Sequence, residues 1–344
     1  MAESPSPLGV AVVGTGASAG QHLEALEDVP GLRVRLVCEP VADAPVPDQV
    51  AGHAVVRGLD AAFGPEIDVV AVCTPPGTHA EVARRALRAG KAVVVEKPPV
   101  LDEAELRALL RERDRAGRPV GVMFQHRFIL SPRARALRWS GRTAACLEVC
   151  RPRPAAYFEK APWRSDPAQA GGGTVAHLAS HYLDLACQLL GAPEQVEGVA
   201  ACDHHPGIDT RVAASLRFAS GATLALLCTA NVEERSERLT IRDGGRLLEI
   251  ENGRVRIAGP EGVDEAAPRV KVELRRAVYA EVAEAVRHGR TALPTADVEH
   301  ALGVVRVLER VRALALASCA PPAAEEGGGA DGSPDPLLVA EGAA

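Results

Sequence analysis

Two histidines and an aspartate share one face of a predicted helix in the stretch GGGTVAHLASHYLDL, residues 171–185. His177 and His181 are four residues apart and Asp184 follows three later, so an α-helix places all three side chains on one side. Imidazoles at this spacing can bind a metal ion, or they can transfer a proton near neutral pH. A third interpretation is that they are polar residues of a packed helix with no chemical role.

The metal interpretation lacks the rest of a ligand set. The zinc motif H-E-x-x-H has the same histidine spacing, but Leu-Ala-Ser separates His177 and His181 and no glutamate is present. The other ligand-rich stretch, Asp203-His204-His205, lies between predicted strands. We therefore predict no metal site and favour acid–base chemistry on this helix, with His177 shaping the pocket.

A glycine-rich loop follows the first predicted strand, in VVGTGASAGQHLEAL. Gly14 and Gly16 match the first two glycines of G-x-G-x-x-G, and Ala19 takes the third position, where alanine is allowed. The first glycine permits a tight turn, and the second lets the backbone approach a pyrophosphate at the helix N-terminus. The sequence therefore predicts dinucleotide contacts from Gly14, Thr15, Gly16 and Ala17.

The second predicted strand ends in an acidic residue, Glu39, within Cys38-Glu39-Pro40. A carboxylate at this point accepts hydrogen bonds from the ribose hydroxyls of NAD and repels the 2′-phosphate of NADP. No Arg or Lys follows closely in the sequence. We therefore predict NAD as the cofactor in preference to NADP.

The elements that must position these residues alternate between strands and helices in residues 1–122. Strands that are almost wholly apolar and alternate with helices such as 76–89 and 102–116 predict a Rossmann domain with a doubly wound parallel sheet. Asp102 is the expected N-cap of the second helix, with Glu105 closing a capping box. The predicted strands are 8–14, 32–38, 67–73, 91–95 and 118–124.

The pattern changes after about residue 125. A helix at 131–140, a strand at 143–150 and the glycine-led helix precede repeated strand-like runs between 194 and 258, whose turns contain glycine. This order predicts an α+β domain with a predominantly antiparallel open sheet, closed by two further helices at 270–288 and 296–317. The predicted division is 1–122 for NAD binding, 123–319 for substrate binding and oligomerisation, and 320–344 as a disordered tail.

Composition excludes several classes of function. The chain has 344 residues, a net charge of −6 and no long basic block, which argues against binding nucleic acid or a membrane surface. No secretion signal and no long apolar segment are evident. The eight cysteines are scattered without a C-x-x-C pair, which favours a reducing cytoplasm.

A lysine stands directly after the fifth predicted strand, in VVVEKPP at 93–99. Parallel sheets bind ligands at this edge, and a charged pair locked by two prolines, Glu96 and Lys97, is unusual for a surface turn. With four other segments, this motif resembles the glucose–fructose oxidoreductase / inositol dehydrogenase / MocA (Gfo/Idh/MocA) family over roughly residues 8–318. The matching segments are GTGASAGQHLEAL, VCTPPGTHAEVARRALRAGKAVVVEKP, QHRF, YFEKAPWRSDPAQAGGG and HLASHYLDL.

The resemblance implies an oxidoreductase that moves hydride between a nicotinamide cofactor and a carbon-bound hydroxyl. It implies that Lys97 and His181 are the catalytic pair and that Asp184 supports them. Many relatives carry Asp or Asn where this chain has His177, which cannot supply a permanent negative charge to hold Lys97. The further cofactor contacts that the resemblance implies are Thr74, Pro75, His79, Glu96 and Lys97.

Substrate contacts are expected from an irregular, basic and aromatic segment. Its cations Arg151, Arg153, Lys160 and Arg164 lie beside two of the few aromatic residues, which favours a substrate with both a ring and a phosphate, such as a sugar nucleotide. The alternatives are a cyclitol dehydrogenase, an NADPH-dependent keto-sugar reductase, or a nucleotide-binding regulatory protein without turnover. We also expect a homo-oligomer formed through the C-terminal sheet. The predicted substrate residues are Arg127, Tyr157, Trp163, Arg164 and His177.

Overall fold

The computed structural model describes residues 6–319 in two sheets with their helices. The segment 320–344, for which the sequence predicts disorder, lies outside the described residues. Among the helices of the described part, none has the length and apolar character needed to cross a lipid bilayer.

The first sheet has six strands, all paired in parallel, in the order β3-β2-β1-β4-β5-β6. Its central strands consist of Val and Ala residues with no exposed surface, because helices cover both faces. The doubly wound parallel sheet is thus confirmed, with one short edge strand that the sequence pattern missed, β3. The strands are β1 Leu8–Val13, β2 Leu32–Glu39, β3 Val55–Arg57, β4 Val69–Val72, β5 Ala92–Val95 and β6 Val120–Val122.

Three helices follow strands of this sheet and begin at its carboxyl edge. No side chain caps the first of them, so its N-terminal amides remain available. Asp102 caps the third by accepting from the Glu105 amide at 2.8 Å, and Glu105 accepts in turn from the Leu101 amide. The predicted cap is therefore confirmed. The helices are α1 Ala17–Leu26, α2 Pro76–Arg88 and α3 Glu103–Ala116.

The second sheet has eight strands in the order β14-β13-β12-β11-β7-β10-β9-β8. It is mostly antiparallel, as predicted, but it is not a simple meander. Strand β7 inserts between β10 and β11 and pairs in parallel with β10. The strands are β7 Ala144–Cys150, β8 Pro193–Ala201, β9 Arg211–Phe218, β10 Thr223–Thr229, β11 Ser236–Asp243, β12 Arg246–Glu251, β13 Arg254–Gly259 and β14 Gly262–Ala266.

Six more helices accompany the second sheet, and one of them returns to the first. Val278 and Tyr279 of α8 are buried in the same cluster as Val10 and Val12 of β1, so α8 completes the core of the first sheet. The division at residue 122 therefore stays a proposal. The helix predicted at 131–140 is shorter in the structure, at 132–136. The helices are α4 Pro132–Ala136, α5 Ala155–Glu159, α6 Pro167–Ala170, α7 Ser180–Leu190, α8 Lys271–Arg287 and α9 Leu302–Ser318.

Candidate active site

A cavity of about 900 Å³ runs along the carboxyl edge of the first sheet. The glycine loop and the start of α2 form one side, and the segment from Tyr157 to Arg164 forms the other, together with His177. We refer to it as the main cavity. The residues that the sequence assigns to the cofactor all line it: Gly14, Thr15, Gly16, Ala17, Glu39, Thr74, Pro75, His79, Glu96 and Lys97.

The glycine loop has the shape that a dinucleotide requires. Gly14 has a φ of +101°, and a Cβ there would lie 2.7 Å from the Cys73 carbonyl oxygen, so only glycine is tolerated. A Cβ on Gly16 would meet no atom within 4 Å, because this position opens into the main cavity. Together with the uncapped N-terminus of α1, this open face fits a pyrophosphate.

The side chain of Glu39 is held at the end of β2. Its Oε2 accepts a hydrogen bond from the Thr15 hydroxyl at 2.6 Å, and its Oε1 accepts from the Val41 amide at 3.0 Å. Arg57 of β3, distant in sequence, donates to the Val41 carbonyl at 3.0 Å. A guanidinium group therefore lies beside the loop that follows Glu39. The residues next to Glu39 in the sequence do not indicate this cation.

A backbone carbonyl holds the Lys97 amine, so this amine does not depend on a negative charge at position 177. Its Nζ donates to the His177 carbonyl oxygen at 2.9 Å, and its amide donates to Glu96 Oε2 at 3.1 Å. Burial lowers the pKa of Lys97 to about 8; the Glu96 carboxylate opposes this shift, and the charges of Arg151 and Arg275 add to it. The amine is therefore close to its titration point at neutral pH.

The imidazole of His177 faces the main cavity with Trp163, whose ring centroid lies 5.9 Å away. Burial, followed by the charge of Lys97, lowers the pKa of His177 to about 3, so the ring is neutral. Residues 175–179 form a turn of π-helical geometry, a distortion that often occurs at functional sites. This turn carries both the ring and the carbonyl that receives Lys97.

The three glycines before this helix have a structural reason that the sequence did not reveal. Buried Asp209 accepts hydrogen bonds from the Gly173 amide at 2.6 Å, the Thr174 hydroxyl at 2.7 Å and the Val175 amide at 3.0 Å. A Cβ on Gly173 would lie 1.9 Å from the Asp209 carbonyl oxygen. Gly173 therefore permits the close approach of the Asp209 backbone.

His181 is not among the residues that line the main cavity and is stacked on a second histidine. The rings of His181 and His126 are 4.3 Å apart between centroids and inclined by 27°, and Phe124 packs edge-on against His181. Burial, with the neighbouring His126 and Lys97, holds the pKa of His181 well below its usual value. The ring is neutral and can accept a proton. Sequence reasoning missed His126, although it stands in the QHRF motif.

Arg127 and Asp184 form a buried ion pair, and this corrects both of their predicted roles. Neither side chain has exposed surface, and the guanidinium donates to both carboxylate oxygens at 2.8 and 2.7 Å. Arg127 also donates to the carbonyls of Thr295 and Asp297. Because its donors are satisfied in the interior, Arg127 does not reach a substrate. Asp184 anchors α7 and makes no hydrogen bond with His181 within the described structure.

His79 also has a structural role. Its Nδ1 lies 2.7 Å from the Pro98 carbonyl oxygen and its Nε2 lies 2.7 Å from the Thr74 carbonyl oxygen. The buried ring thereby braces the loops that follow β4 and β5 at the floor of the main cavity. Its expected contact with the cofactor is through the ring surface, since both nitrogens are engaged.

A buried network joins both parts of the chain to Glu96. His22 of α1 lies 3.0 Å from Glu96 through Nε2 and 2.5 Å from the Tyr279 hydroxyl through Nδ1, and Arg275 of α8 lies 3.3 Å from the same carboxylate. A neutral ring with its proton on Nε2 satisfies both contacts. Burial opposes ionisation of Glu96, but His22, Arg275 and Lys97 hold its pKa well below the usual value. Glu96 is thus a fixed negative charge next to Lys97.

Cations stack on the aromatic rings of the segment opposite the glycine loop. The Arg164 guanidinium carbon lies 4.4 Å from the Tyr157 ring centroid and 4.5 Å from that of Trp163, and Arg153 covers Tyr157 at 4.7 Å. Tyr157, Trp163 and Arg164 line the main cavity with the glycine loop. The structure thus brings these predicted substrate residues together with the predicted cofactor residues in one space.

We expect a chelator to leave activity unchanged. Between residues 6 and 319, no three His, Cys, Asp or Glu side chains converge as a metal site would require. Dialysis against EDTA followed by a rate assay and elemental analysis tests this. Loss of activity that Zn²⁺ restores would instead revive the metal interpretation of His177 and His181.

Comparisons with known proteins agree with this geometry. Residues 8–124 match the family model described as "Oxidoreductase family, NAD-binding Rossmann fold", and residues 142–262 match the "GFO/IDH/MocA C-terminal domain". Inositol 2-dehydrogenase of Rhizobium meliloti (strain 1021) is 31% identical over 194 residues, 55% of this chain and 57% of that protein. D-glucoside 3-dehydrogenase of Escherichia coli (strain K12) is 28% identical over 200 residues, 56% of each chain. The chain thus spans little more than half the length of these relatives.

Solved structures share the fold over almost the whole length. UDP-N-acetylglucosamine 3-dehydrogenase GnnA from Acidithiobacillus ferrooxidans superposes with a TM-score of 0.73 at 21% identity, covering 91% of this chain and 99% of that one. Levoglucosan dehydrogenase in complex with NADH and levoglucosan gives 0.78 at 19% identity, with 92% and 98% covered. The two family models together match more than half of the chain. The protein therefore belongs to the Gfo/Idh/MocA family of oxidoreductases, with an NAD-binding Rossmann fold at residues 8–124.

Proposed function

We propose that the protein is an NAD-dependent dehydrogenase that oxidises a secondary alcohol of a carbohydrate-like substrate, specifically a sugar nucleotide. The observation that carries this proposal is the amine of Lys97 in the lining of the main cavity, whose pKa is lowered to about 8 and whose charge helps to lower the pKa of His181. An amine with a lowered pKa and a neutral imidazole are suited to remove a hydroxyl proton. NAD, when bound, supplies the acceptor for the hydride.

The protein's own residues bind the cofactor and the substrate, orient the reacting hydroxyl and move its proton. Lys97 and His181 share the substrate hydroxyl: one orients it, and the other accepts its proton as the carbon–hydrogen bond breaks. In the reverse direction the same two groups polarise the ketone and return the proton. Glu96 keeps the lysine loop in place, and the uncapped start of α1 binds the dinucleotide phosphates.

Two kinds of support favour a sugar nucleotide. The charges of Arg151, Arg153 and Arg275 all act on Lys97, so the surroundings of the pair favour an anionic ligand. Several proteins similar to this chain in sequence or in structure act, by name, on inositol, a glucoside, levoglucosan and UDP-N-acetylglucosamine. All are carbohydrate-like, and the last carries a diphosphate.

A substrate screen tests the proposal. Purified protein is mixed with NAD⁺ or NADP⁺ and with UDP-N-acetylglucosamine, myo-inositol or methyl glucoside, and NADH formation is followed by absorbance. We expect turnover with NAD⁺ and the sugar nucleotide. Efficient oxidation of inositol alone would make the protein a cyclitol dehydrogenase. No turnover with any carbohydrate, in either direction, with tight NADH binding would support a regulatory protein instead.

Glu39→Ser should narrow the preference for NAD(H) over NADP(H). The carboxylate repels a 2′-phosphate, and Arg57 then supplies a cation beside the loop once that charge is removed. Values of kcat/KM for both cofactors measure the preference, with Asp60→Ser, an exposed acidic residue after β3, as the control. Equal use of NADP(H) by the unaltered protein would contradict the assignment of Glu39.

We further propose a homo-oligomer formed through the second sheet, in a reducing cytoplasm. Helices cover one face of this sheet, whereas the other exposes small and apolar side chains, including Val199 at 69% and Leu227 at 44%. An uncovered face of this kind favours burial against a second copy. Light scattering should show an oligomer for wild type and a shift toward monomer for Leu227→Lys. A monomer for both proteins would contradict the proposal.

A further inference from the structure

A second cavity, of about 380 Å³, lies behind the histidine that stacks on His181. We refer to it as the side cavity. His126 forms part of its wall, and Arg235, Arg269 and Lys271 line it together with a single acidic residue, Glu237. His126 thus both borders the side cavity and stacks on the predicted catalytic histidine.

The cations of the side cavity outnumber its carboxylates. Glu237 is buried and is already shared by Arg151 at 3.2 Å and Arg235 at 2.5 Å. Within the described residues, no carboxylate oxygen lies within 4.0 Å of the Lys271 ammonium or the Arg269 guanidinium. Within residues 6–319, Arg269 donates a single hydrogen bond, to the Phe128 carbonyl at 3.2 Å. Lys271 and Arg269 thus face the side cavity without an ion pair in the described part of the chain, and Glu237 is its one acidic lining residue there.

The titration behaviour of the neighbouring groups agrees with this excess of positive charge. Burial and then the charges of Arg235 and Arg151 lower the pKa of Lys271. Burial and then Lys271 and Lys97 lower the pKa of His126 to about 3. An anion in the side cavity would relieve this mutual repulsion and gain charge-assisted hydrogen bonds.

The other clusters of cationic side chains in the described structure are less suited to bind a negatively charged group of the substrate. Arg153 and Arg164 are stacked on aromatic rings, and Arg164 lines the main cavity together with the predicted cofactor residues. A cavity of about 370 Å³ between α4 and β13 also holds arginines, but Arg133 there faces two acidic residues, and the predicted catalytic pair does not border it.

We infer that the side cavity is an anion subsite, in which Lys271, Arg269 and Arg235 bind a carboxylate or phosphate substituent of the carbohydrate whose hydroxyl Lys97 and His181 hold. This inference rests on the proposed function and refines it, because it places the substrate's negative charge on the side of His181 away from the glycine loop. The substrate would then lie between the stacked histidines and the amine, with its charged end toward α8.

A double variant, Lys271→Met with Arg269→Gln, tests the subsite. Both side chains are exposed, so folding should be unaffected, and thermal unfolding checks this. Arg246→Gln is the matched control, since it removes an exposed cation from the cavity between α4 and β13. The probes are UDP-N-acetylglucosamine with a diphosphate, D-glucuronate with a carboxylate, and neutral methyl glucoside.

We expect the double variant to raise KM for the anionic probe that wild type uses by about tenfold or more, given the strength of charge-assisted hydrogen bonds. The KM values for NAD⁺ and methyl glucoside should change by less than about twofold. A rise in KM confined to UDP-N-acetylglucosamine would identify a phosphate subsite. A rise in KM confined to D-glucuronate would identify a carboxylate subsite. An equal rise in KM in Arg246→Gln, or an unchanged KM in the double variant, would overturn the inference.

Calorimetric titration of the same probes into the protein–NADH complex separates this inference from the proposed function. If no probe is oxidised but an anionic probe binds wild type at least about tenfold more tightly than the double variant, the dehydrogenase proposal fails and the subsite stands. If neutral sugars are oxidised and neither anionic probe binds, the proposed dehydrogenase stands and the anion subsite is wrong.

Discussion

Lys97→Met should lower kcat by about a thousandfold while leaving NADH affinity within about twofold of wild type. The magnitude follows from the loss of a group that orients the hydroxyl and takes part in proton transfer, a contribution of roughly 10²–10⁴ in rate. Cofactor affinity should persist because the glycine loop and Glu39, which line another part of the main cavity, are untouched. Steady-state rates and fluorescence titration with NADH measure the two quantities.

The pH profile distinguishes a catalytic amine from a merely structural one. Since the pKa of Lys97 is lowered to about 8, the neutral amine grows as pH rises through 8, and alcohol oxidation should accelerate over that range. This step should vanish from the profile of Lys97→Met. Lys91→Met, at the opposite end of β5, is the control, because the one hydrogen bond of its Nζ in the described structure goes to the Gly64 carbonyl. Near-normal kcat in Lys97→Met would remove the lysine from the mechanism.

His181→Ala should have a comparable effect on turnover. Its neutral ring is the second group proposed to accept the proton. It packs on His126, and its buried Nδ1 has no hydrogen-bond partner among residues 6–319. His181→Asn, which keeps a polar group of similar size, should also lose most of the rate if proton transfer is the role. Recovery of the rate by asparagine would instead indicate a positioning role.

Arg127→Met should destabilise the protein by about 3–5 kcal/mol, the cost of leaving one member of a buried ion pair without its partner. Asp184 has no exposed surface and accepts both strong hydrogen bonds from this guanidinium, so the variant leaves a carboxylate uncompensated in the core. Burial already raises the pKa of Asp184, against the effect of Arg127, so loss of the arginine should raise that pKa further.

Urea unfolding of Arg127→Met and of Arg127→Met/Asp184→Leu measures this effect. The double variant removes both charges and should recover part of the lost stability, since paired charges can be replaced together by apolar groups. Arg107→Met is the control, because its ion pair with Glu103 is exposed and contributes at most about 0.5 kcal/mol. Wild-type stability in Arg127→Met, combined with a raised substrate KM, would restore the substrate role that the sequence suggests for Arg127.

The sequence alone determined the fold class and singled out the predicted cofactor residues, which line the main cavity together. Apolar runs of Val and Ala mark strands buried on both faces, and the turn chemistry of Gly14 and the cap at Asp102 are local, because each depends on residues within a few positions. Glu39 and Lys97 were found for a related reason: the residue that ends a parallel strand always emerges at the ligand-binding edge. Edge strand β3 escaped detection because three partly exposed residues carry too little pattern.

The tertiary structure alone decided which polar residues face a ligand and which are consumed in the core. Arg127 and Asp184 lie 57 residues apart, and both look like site residues in sequence, yet they neutralise each other in the interior. Arg275 reaches Glu96 across 179 residues, and the Lys97 amine is held by a carbonyl, which has no side-chain signature. A sequence pattern records periodicity and turn preference, whereas burial and long-range charge pairing depend on how distant segments pack, and these set the pKa of Lys97 and His181.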